Sequence, residues 1–431
     1  MATVSWIGGA PAVAQVQTYA FTGTWEAGDL VICTIGTKSK SVTATGLAAT
    51  TVDAIVAAWN ALLSTTHPEF AEITASNSPS ATLRLTADTA GLPFVCTLTT
   101  TEAGGGAADD QLIEGAATAT TGTAATANAG PNCWNTAANW SLAAVPVNTN
   151  DVVIENSDDD ILYGLAQPVA VTLKSLTINK SFTGTIGLPR DAETYPEYRA
   201  QYLTVGLESP FTLAIGQGSG TGSGRIKINT GTTQTNLALY GCATTEETGL
   251  PAVLWKGAHI SNVVSVNKGT LGVALFADET AVVATLNLGY ITSVAGDADV
   301  ECGSGVTLTA IVKTGGALDI ASNVVTVTQQ AGTLAIAGTA TVTTLNLDGG
   351  TCYYESSGTM GTANVGNAGT LDFRRDMRAR TVTQLNCYAG GKVYDPAATV
   401  TLTNGIDLIR CGLEDVSLEM GNHRVWTPTA I

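Results

Sequence analysis

The residues of this chain that could do chemistry lie far apart. Its three histidines are His67, His259 and His423, and neither the serine-nucleophile motif G-x-S-x-G nor the zinc motif H-E-x-x-H is present. The glycine-rich segment 215–228 fits neither a dinucleotide-binding motif nor a phosphate loop, so it predicts a turn. The sequence therefore predicts no catalytic residues, no cofactor and no metal, and we expect that the protein is not an enzyme.

The acidic cluster formed by Glu155, Asp158, Asp159 and Asp160 is a second group that could do chemistry. Carboxylates are ligands for Ca²⁺, but a calcium loop of known type alternates its ligands and contains a glycine that is absent here. A solvated turn is the favoured interpretation, and a calcium site is the alternative.

One dense charged patch, which we call the arginine cluster, occupies residues 372–380. Side chains of alternate residues in a strand share a face, so these charges crowd together. The patch is either a self-neutralising surface or a docking site for an acidic partner, and the first interpretation is favoured. Its residues are Asp372, Arg374, Arg375, Asp376, Arg378 and Arg380.

The composition indicates which elements position these groups. Only 13% of the 431 residues are charged and 6% are aromatic, whereas threonine, alanine, glycine and valine dominate, which is typical of a mainly β protein. A net charge of −17 argues against a nucleic-acid partner and against an anionic membrane, because both require clustered cations. The first cation is Lys38, so no secretory signal is expected.

The eight cysteines lie far apart, and no C-x-x-C motif occurs among them. Most stand beside strand-like residues, as in "LVICTIG" and "QLNCYAG", so buried free thiols are favoured over disulfides or a metal site. The cysteines are Cys33, Cys96, Cys133, Cys242, Cys302, Cys352, Cys387 and Cys411.

Residues 1–114 predict a small α+β domain. Strand-like runs precede one segment with helical periodicity, for which Thr50 or Thr51 is the expected N-cap and Pro68 the expected stop. An Ala/Thr/Gly-rich linker follows at 115–132, since it contains no periodic large apolar residues. The apolar face of the helix is formed by Val52, Ile55, Val56, Trp59, Leu62 and Leu63.

The second half of the chain contains an internal repeat. Leu286, Leu345 and Leu385 recur in the similar segments "VATLNLG", "VTTLNLDGG" and "VTQLNCYAGG". The intervals are 59 and 40 residues, which are close to three times and two times twenty, and we expect these leucines to point inward. A second series places glycines before short strands, at Gly316, Gly332, Gly350, Gly369 and Gly391. Glycine is suited to the corner of a coil, so residues 165–415 predict a β-solenoid, most simply a right-handed parallel β-helix.

Residues 133–164 predict an N-terminal cap for this solenoid. The end of a stack of strands exposes unpaired edges that must be covered. Trp134 and Trp140 supply large apolar side chains ahead of the first coil, and Pro146 prevents continuation of the preceding strand. A ligand-binding aromatic pair is the less favoured alternative.

The spacing of Trp134, Trp140, Pro146 and Asp151, followed by the segment 181–206, resembles a set of tailed-bacteriophage virion proteins with β-helical bodies. The N-terminal strands, with "TTVDAIVAAWNALL" (50–63) and "FAEITAS…LRLTADTAGLPFVCTL" (70–98), are similar to a small module of such virion proteins. Together these matches cover about half of the chain and transfer no catalytic residues. It implies a structural protein of the virion, made in the host cytoplasm, that decorates or cements the capsid surface through contacts with other virion proteins, such as the major capsid protein. A fibre or adsorption protein that binds a host receptor is one alternative, and a polysaccharide-degrading β-helix enzyme is another.

Closed symmetry makes a homotrimer the first expectation for such a protein. The residues expected to dock on a partner are Arg374, Arg375, Arg378 and Arg380, together with Trp426 in the tail formed by 416–431. A large aromatic side chain beyond the last coil packs either over the final coil or into a neighbour, and the neighbour is favoured.

Overall fold

The protein is mainly β. A computed structural model describes residues 2–79, 81–101, 112–116, 125–167, 171–192, 194–289 and 298–421. Most strands belong to two long parallel sheets of 14 and 11 strands, and the others form antiparallel sheets of four and three strands. One α-helix, α1 (Ala48–Asn60), and three 3₁₀ turns (Phe70–Glu72, Ala137–Asn139 and Leu413–Asp415) complete the described secondary structure.

In chain order the strands are β1 Thr3–Ser5, β2 Val16–Thr22, β3 Ala27–Ile35, β4 Lys38–Thr45, β5 Ile73–Ser78, β6 Thr82–Ala87, β7 Thr97–Thr101, β8 Leu112–Ala116, β9 Asp151–Ile154, β10 Thr172–Asn179, β11 Leu203–Thr204, β12 Gly206–Gln217, β13 Ile226–Asn229, β14 Thr235–Leu239, β15 Val253–Lys256, β16 Val263–Val266, β17 Gly269–Val273, β18 Ala281–Leu288, β19 Ala298–Cys302, β20 Val306–Lys313, β21 Ala317–Ile320, β22 Val324–Gln329, β23 Thr333–Ile336, β24 Val342–Leu347, β25 Thr351–Tyr354, β26 Met360–Val365, β27 Thr370–Asp372, β28 Arg380–Cys387, β29 Lys392–Asp395, β30 Val400–Leu402, β31 Ile406–Leu408 and β32 Ser417–Met420.

Successive strands alternate between the two parallel sheets over most of the second half of the chain. The 14-stranded sheet has the order β1-β9-β10-β12 and then every even-numbered strand to β30, with β31 also paired to β28. The 11-stranded sheet takes the odd-numbered strands from β11 to β29 and ends with β32. We call these two sheets and their connections the parallel body. Its strands reach beyond the predicted limits of 165 and 415 at both ends.

The leucines of the repeat point inward, as expected. Leu286, Leu345 and Leu385 are all almost fully buried. All three lie in one row of register partners. Three steps from strand to paired strand connect Leu286 to Leu345, and two such steps connect Leu345 to Leu385. That row runs along the 14-stranded sheet through Val4, Val152, Leu176, Leu213, Leu237, Val264, Leu286, Ile311, Val327, Leu345, Ala363, Leu385 and Ile406.

Each glycine of the second series directly precedes a strand of the 11-stranded sheet. Gly316, Gly332 and Gly350 have φ values of 70°, 77° and 73°, a region that residues with a Cβ rarely adopt. A Cβ on Gly332 would also lie 2.1 Å from the carbonyl oxygen of Gly316. Glycine is therefore required at these corners both for its conformation and for the close approach of neighbouring turns.

Lys313 and Gln329 are two of the polar side chains that are buried in the parallel body. Lys313 and Gln329 are register partners in an inward-facing row that continues to Leu347. The Lys313 ammonium donates hydrogen bonds to the carbonyl oxygens of Gly316 at 2.6 Å and Ala331 at 2.8 Å. These bonds satisfy two corner carbonyls, but they place a cation where hydration is lost.

Replacing Lys313 with methionine should change how stability depends on pH. Burial lowers the pKa of Lys313 from its usual value to about 8, and the facing Cys352 partly opposes this shift. Between pH 8 and the unfolded pKa of about 10.4, the unfolded chain holds a proton that the native chain has lost, so the unfavourable contribution of this buried cation to folding becomes smaller as pH rises.

In urea unfolding, the native protein should therefore gain stability relative to Lys313→Met as pH rises from 7.5 to 9.5, by at most about 1.4 kcal/mol per pH unit. The stability of the variant is subtracted at each pH. This removes the contribution of cysteine and tyrosine titration, which the two proteins share. A difference that stays constant over this range would contradict the buried, titrating lysine.

The N-terminal unit, by which we mean the described chain from the start of β2 to the end of β8, including α1, has two antiparallel sheets. Their strand orders are β5-β6-β2-β8 and β4-β3-β7. Val52, Ile55 and Trp59 of α1 are buried in a cluster that includes side chains from both sheets. The helix thus covers the sheets with its apolar face.

The predicted limits of α1 need correction. Its N-cap is Leu47, and neither Thr50 nor Thr51 caps it. Instead, the Thr51 hydroxyl accepts a hydrogen bond from the Thr45 amide at 3.1 Å, which links the first turn of the helix to β4. The helix ends at Asn60, well before Pro68, and Leu63 is exposed because it lies beyond that end.

The first strand of the chain lies in the parallel body and not in the N-terminal unit. β1 pairs with β9 in parallel. On its other side, the Ser5 carbonyl accepts a hydrogen bond from the Ser141 amide at 2.9 Å, and the Ile7 amide donates to the Asn139 carbonyl at 2.8 Å. Residues 139–141 therefore cover part of the edge that β1 would expose.

A segment of the parallel body between β10 and β11 contacts the N-terminal unit. Arg199 forms ion pairs with Glu72, which follows α1, and with Glu197. Its Nε also donates to the Pro93 carbonyl at 2.8 Å, and the Tyr195 hydroxyl donates to Glu72 at 2.5 Å. A buried charge thus joins the two parts of the molecule.

All eight cysteines are free. Six are buried, and Cys242 and Cys411 are partly exposed. Burial raises the pKa of Cys302, Cys352 and Cys387 to about 12, so these thiols are held in the unreactive protonated form.

Thiol counting under denaturing, non-reducing conditions should find eight thiols. In the folded protein, iodoacetamide should modify Cys242 and Cys411 fastest, because the thiolate is the nucleophile and the other six thiols are shielded. Mass spectrometry of the alkylated peptides gives the order. A denatured count of six or fewer, or early modification of Cys352, would contradict the assignment.

No helix in the described ranges is long and apolar enough to span a membrane.

Candidate functional site

The outer face of the 11-stranded sheet carries a groove of about 610 Å³. One outward-facing row of register partners passes along it through Glu301, Asp319, Ala335 and Tyr353. The small side chain of Ala335 leaves space between the acidic end and the tyrosine. We call this depression the carboxylate groove. Its walls are formed by Leu275, Ala277, Glu301, Cys302, Gly303, Ser304, Asp319, Ile320, Ala321, Ala335, Ala337, Glu355 and Arg375.

The acidic end of the groove concentrates negative charge. The pKa of Glu301 is raised, first by partial burial and then by repulsion from Asp299 and Asp319. The pKa of Asp319 is raised by partial burial and by the charges of Asp299 and Glu355, whereas Arg375 opposes the shift. Carboxyls with raised pKa values beside one another are suited to hold a proton and to transfer it.

The opposite end of the groove holds its one lining cation. Arg375 forms an ion pair with Glu355 at 3.4 Å, and its guanidinium carbon lies 3.2 Å from the centroid of the Tyr353 ring. The ring face and the carboxylate together fix the position of the guanidinium. The groove thus runs from an acidic end to an end that carries an arginine–glutamate ion pair and an aromatic ring.

The structure pairs every arginine of the arginine cluster with a carboxylate. Arg374 pairs with Asp372 at 2.7 Å, and Arg378 pairs with Asp376 at 2.6 Å. Arg380 also lies within 3.6 Å of Asp376, but its side chain is not exposed. These pairs favour a self-neutralising surface, and any docking role falls to the three exposed arginines.

The two tryptophans of the predicted cap are buried at the start of the parallel body. Trp134 and Trp140 pack edge to face, with ring centroids 4.6 Å apart. Trp6 packs against Trp140 at 5.1 Å, and Pro146 is also buried. The ring nitrogen of Trp140 donates to the Trp134 carbonyl at 2.8 Å. These rings belong to the apolar core, so they present no surface to a ligand.

The acidic cluster at 155–160 takes part in hydrogen bonds within the chain. Glu155 accepts a hydrogen bond from Asn179 at 2.7 Å, and Asp160 accepts from the amide and hydroxyl of Thr185 at 2.7 and 2.8 Å. Among the described residues, no group of three or more histidine, cysteine, aspartate or glutamate side chains could hold a metal ion. Trp426 and His423 lie outside the described residues.

Sequence reasoning did not identify the carboxylate groove. Asp319 lies in "GGALDI", a member of the glycine series, and Glu301 lies in "ADVEC", whose strand precedes it in the same sheet. Both residues are acidic and occupy outward positions of adjacent strands, which is a recognisable pattern. The pattern can be read only when the register of the 11-stranded sheet is known.

The chain matches no protein-family model, no curated protein and no solved structure. The class that the geometry defines is therefore a mainly β protein with two long parallel sheets.

Proposed function

We propose that the parallel body is a closed β-solenoid, preceded by a small α+β domain. The alternation of successive strands between two parallel sheets supports closure, because each pair of strands then forms part of one coil. The shared apolar cluster of α1 and the antiparallel sheets supports an independent N-terminal core. A right-handed coil is expected, since parallel crossover connections are nearly always right-handed.

The protein is, in this proposal, a non-enzymatic structural protein of a virion that decorates or cements the capsid surface. The observation that carries the proposal is the uninterrupted inward row from Val4 to Ile406. Short, stiff side chains stacked over so many strands form a rigid body that loses little entropy on docking. The resemblance of the segments around Trp134 and at 181–206 to phage virion proteins supports the location.

Virus particles purified from a host that produces this chain after infection would test the proposal. In a density gradient, the protein should sediment with the major capsid protein at a fixed ratio and stay bound after a wash. Quantitative mass spectrometry across the fractions measures the ratio of the two proteins before and after the wash. Recovery of the chain only from the soluble fractions would exclude a structural role in the particle.

The expected homotrimer is tested separately, by light scattering of the purified chain after size exclusion. The mass should be three times the chain mass of 43.9 kDa. A mass of one chain at all concentrations would contradict the trimer but would leave attachment to a capsid testable.

Polysaccharide degradation is the second candidate function, and the carboxylate groove favours it. Glycoside hydrolysis requires two carboxyl groups, one of which donates a proton while the other acts as base or nucleophile. The raised pKa of Glu301 suits the proton donor, and Asp319, its register partner on the next strand, is the candidate base or nucleophile.

The purified protein would be incubated with host polysaccharide, and the products sized by chromatography. If the groove is catalytic, Glu301→Gln and Asp319→Asn should each abolish shortening, whereas Asp53→Asn in α1, outside the groove, should not. Absence of shorter products from the native protein would favour the structural proposal.

A further inference from the structure

A second depression, of about 280 Å³, lies on the outer face of the 14-stranded sheet, where β24, β26 and β28 end. Asp348, Gly366 and Tyr388 directly follow three register partners, so they form one row across these strands. The ladder continues into this row, because the Gly366 amide donates to the Leu347 carbonyl at 3.0 Å and the Tyr388 amide donates to the Val365 carbonyl at 2.8 Å. The row presents a carboxylate, a gap and an aromatic ring in that order.

Gly366 leaves the space at the centre of this row. A Cβ at this position would lie 2.9 Å from the Cβ of Tyr388 and 3.5 Å from the first ring carbon. A side chain on residue 366 would therefore fill the floor and displace the tyrosine. Tyr388 is 39% exposed although it lies against this floor, so the ring is available to a ligand. We call the feature the Gly366 depression.

A row of amides forms the side wall. Asn364 donates a hydrogen bond to Asn346 at 2.8 Å, and Asn386 donates to Asn364 at 2.8 Å. Gln384 in turn donates to the side-chain oxygen of Asn386 at 2.9 Å. This chain of bonds fixes the orientation of each amide, so the wall is organised before any ligand arrives.

Two polar groups of the wall are unused within the described part of the chain. The side-chain nitrogen of Asn346, at the end of the amide row, donates to no protein acceptor, and the carboxylate of Asp348 accepts from no protein donor. Asn367, which also lines the depression, has a φ of 54°. Donors, acceptors and a ring face thus converge on one concave site near the lower size limit of ligand pockets.

We propose that the Gly366 depression binds one uncharged sugar unit of a glycan. A sugar ring offers vicinal hydroxyls that can donate to Asp348 and accept from Asn346, and it offers an apolar C–H face that can stack on Tyr388. An apolar ligand would leave the amides and the carboxylate unpaired. A metal ion would find one carboxylate where it needs several ligands.

The proposal is independent of the location in a virion, because the site is complete within one chain. It is also independent of the carboxylate groove, which lies on the other sheet. Binding can therefore be measured on the purified protein.

The test uses the methyl glycosides of glucose, galactose, mannose and N-acetylglucosamine as probes, with methyl glucuronide as the charged comparison. Ligand-observed NMR at concentrations up to about 10 mM covers the weak affinity expected of one sugar unit. At least one neutral glycoside should bind, and glucuronide should bind more weakly because Asp348 in the lining repels its negative charge.

Two variants locate the binding. Tyr388→Ala and Asp348→Asn should each raise the dissociation constant for that glycoside by about tenfold. The first variant loses the stacking contact, and the second loses a charge-assisted hydrogen bond. Both positions are exposed, so folding should be unchanged. Tyr394→Ala, which removes a tyrosine from the outer face of the other sheet, should leave the constant within about twofold.

No binding of any neutral glycoside would overturn the proposal. Binding that all three variants leave unchanged, or binding of methyl glucuronide alone, would overturn it as well.

Discussion

Truncation of Leu345 to alanine should lower the free energy of unfolding by about 2 to 5 kcal/mol. Leu345 has no exposed surface, and its neighbours in the inward row are Val327 and Ala363. The side chains of successive strands fix one another in place, so the cavity left by the truncation cannot collapse easily. Urea unfolding followed by circular dichroism measures the change.

Val325→Ala provides the matched control. Val325 is an aliphatic residue of β22, in the same sheet, but its side chain is 49% exposed. Its truncation should cost less than about 1 kcal/mol, since little apolar surface is lost from the core. Equal costs for the two variants would mean that Leu345 does not occupy the interior.

Replacement of Arg199 by alanine should lower the free energy of unfolding by about 3 to 5 kcal/mol. The Arg199 side chain is only 7% exposed, and Glu197 beside it is buried as well. Removal of the guanidinium leaves a buried carboxylate without its cation and also removes the ion pair to Glu72. Because Glu72 belongs to the N-terminal unit, the variant should also loosen that unit from the parallel body.

Arg190→Ala is the matched control for this second prediction. Arg190 forms an ion pair with Asp278 at 3.0 Å, but both side chains are well exposed, so its loss should cost about 0 to 1 kcal/mol. Hydrogen exchange should increase in β2 to β7 in Arg199→Ala and stay unchanged in Arg190→Ala. A small, equal effect of both substitutions would show that Arg199 does not hold the two parts together.

The regular part of the fold was predictable from the sequence because its signals repeat. The leucine intervals gave the number of strands between Leu286, Leu345 and Leu385 correctly, although individual steps vary with the length of the corners. The five corner glycines marked the strands of the second sheet one by one. The first strand, β1, was not predicted to join the 14-stranded sheet, because its partner β9 lies almost 150 residues later and no local pattern links them.

The sites were less predictable, because they depend on register. Glu301 and Asp319 are neighbours only because β19 and β21 pair in one register, and corner lengths that the sequence does not reveal set that register. The arginine cluster was recognised as a charged patch, but the sequence could not show that Arg380 turns inward. The Gly366 depression depends on a missing side chain, which is visible only once its neighbours are aligned.

Electron cryomicroscopy of particles that contain the chain tests the central claim most directly. The proposed structural role predicts rod-shaped density on the capsid surface, into which the two parallel sheets fit at a fixed orientation on every copy. Capsids without such density, with the chain located elsewhere or free in solution, would contradict the role proposed here.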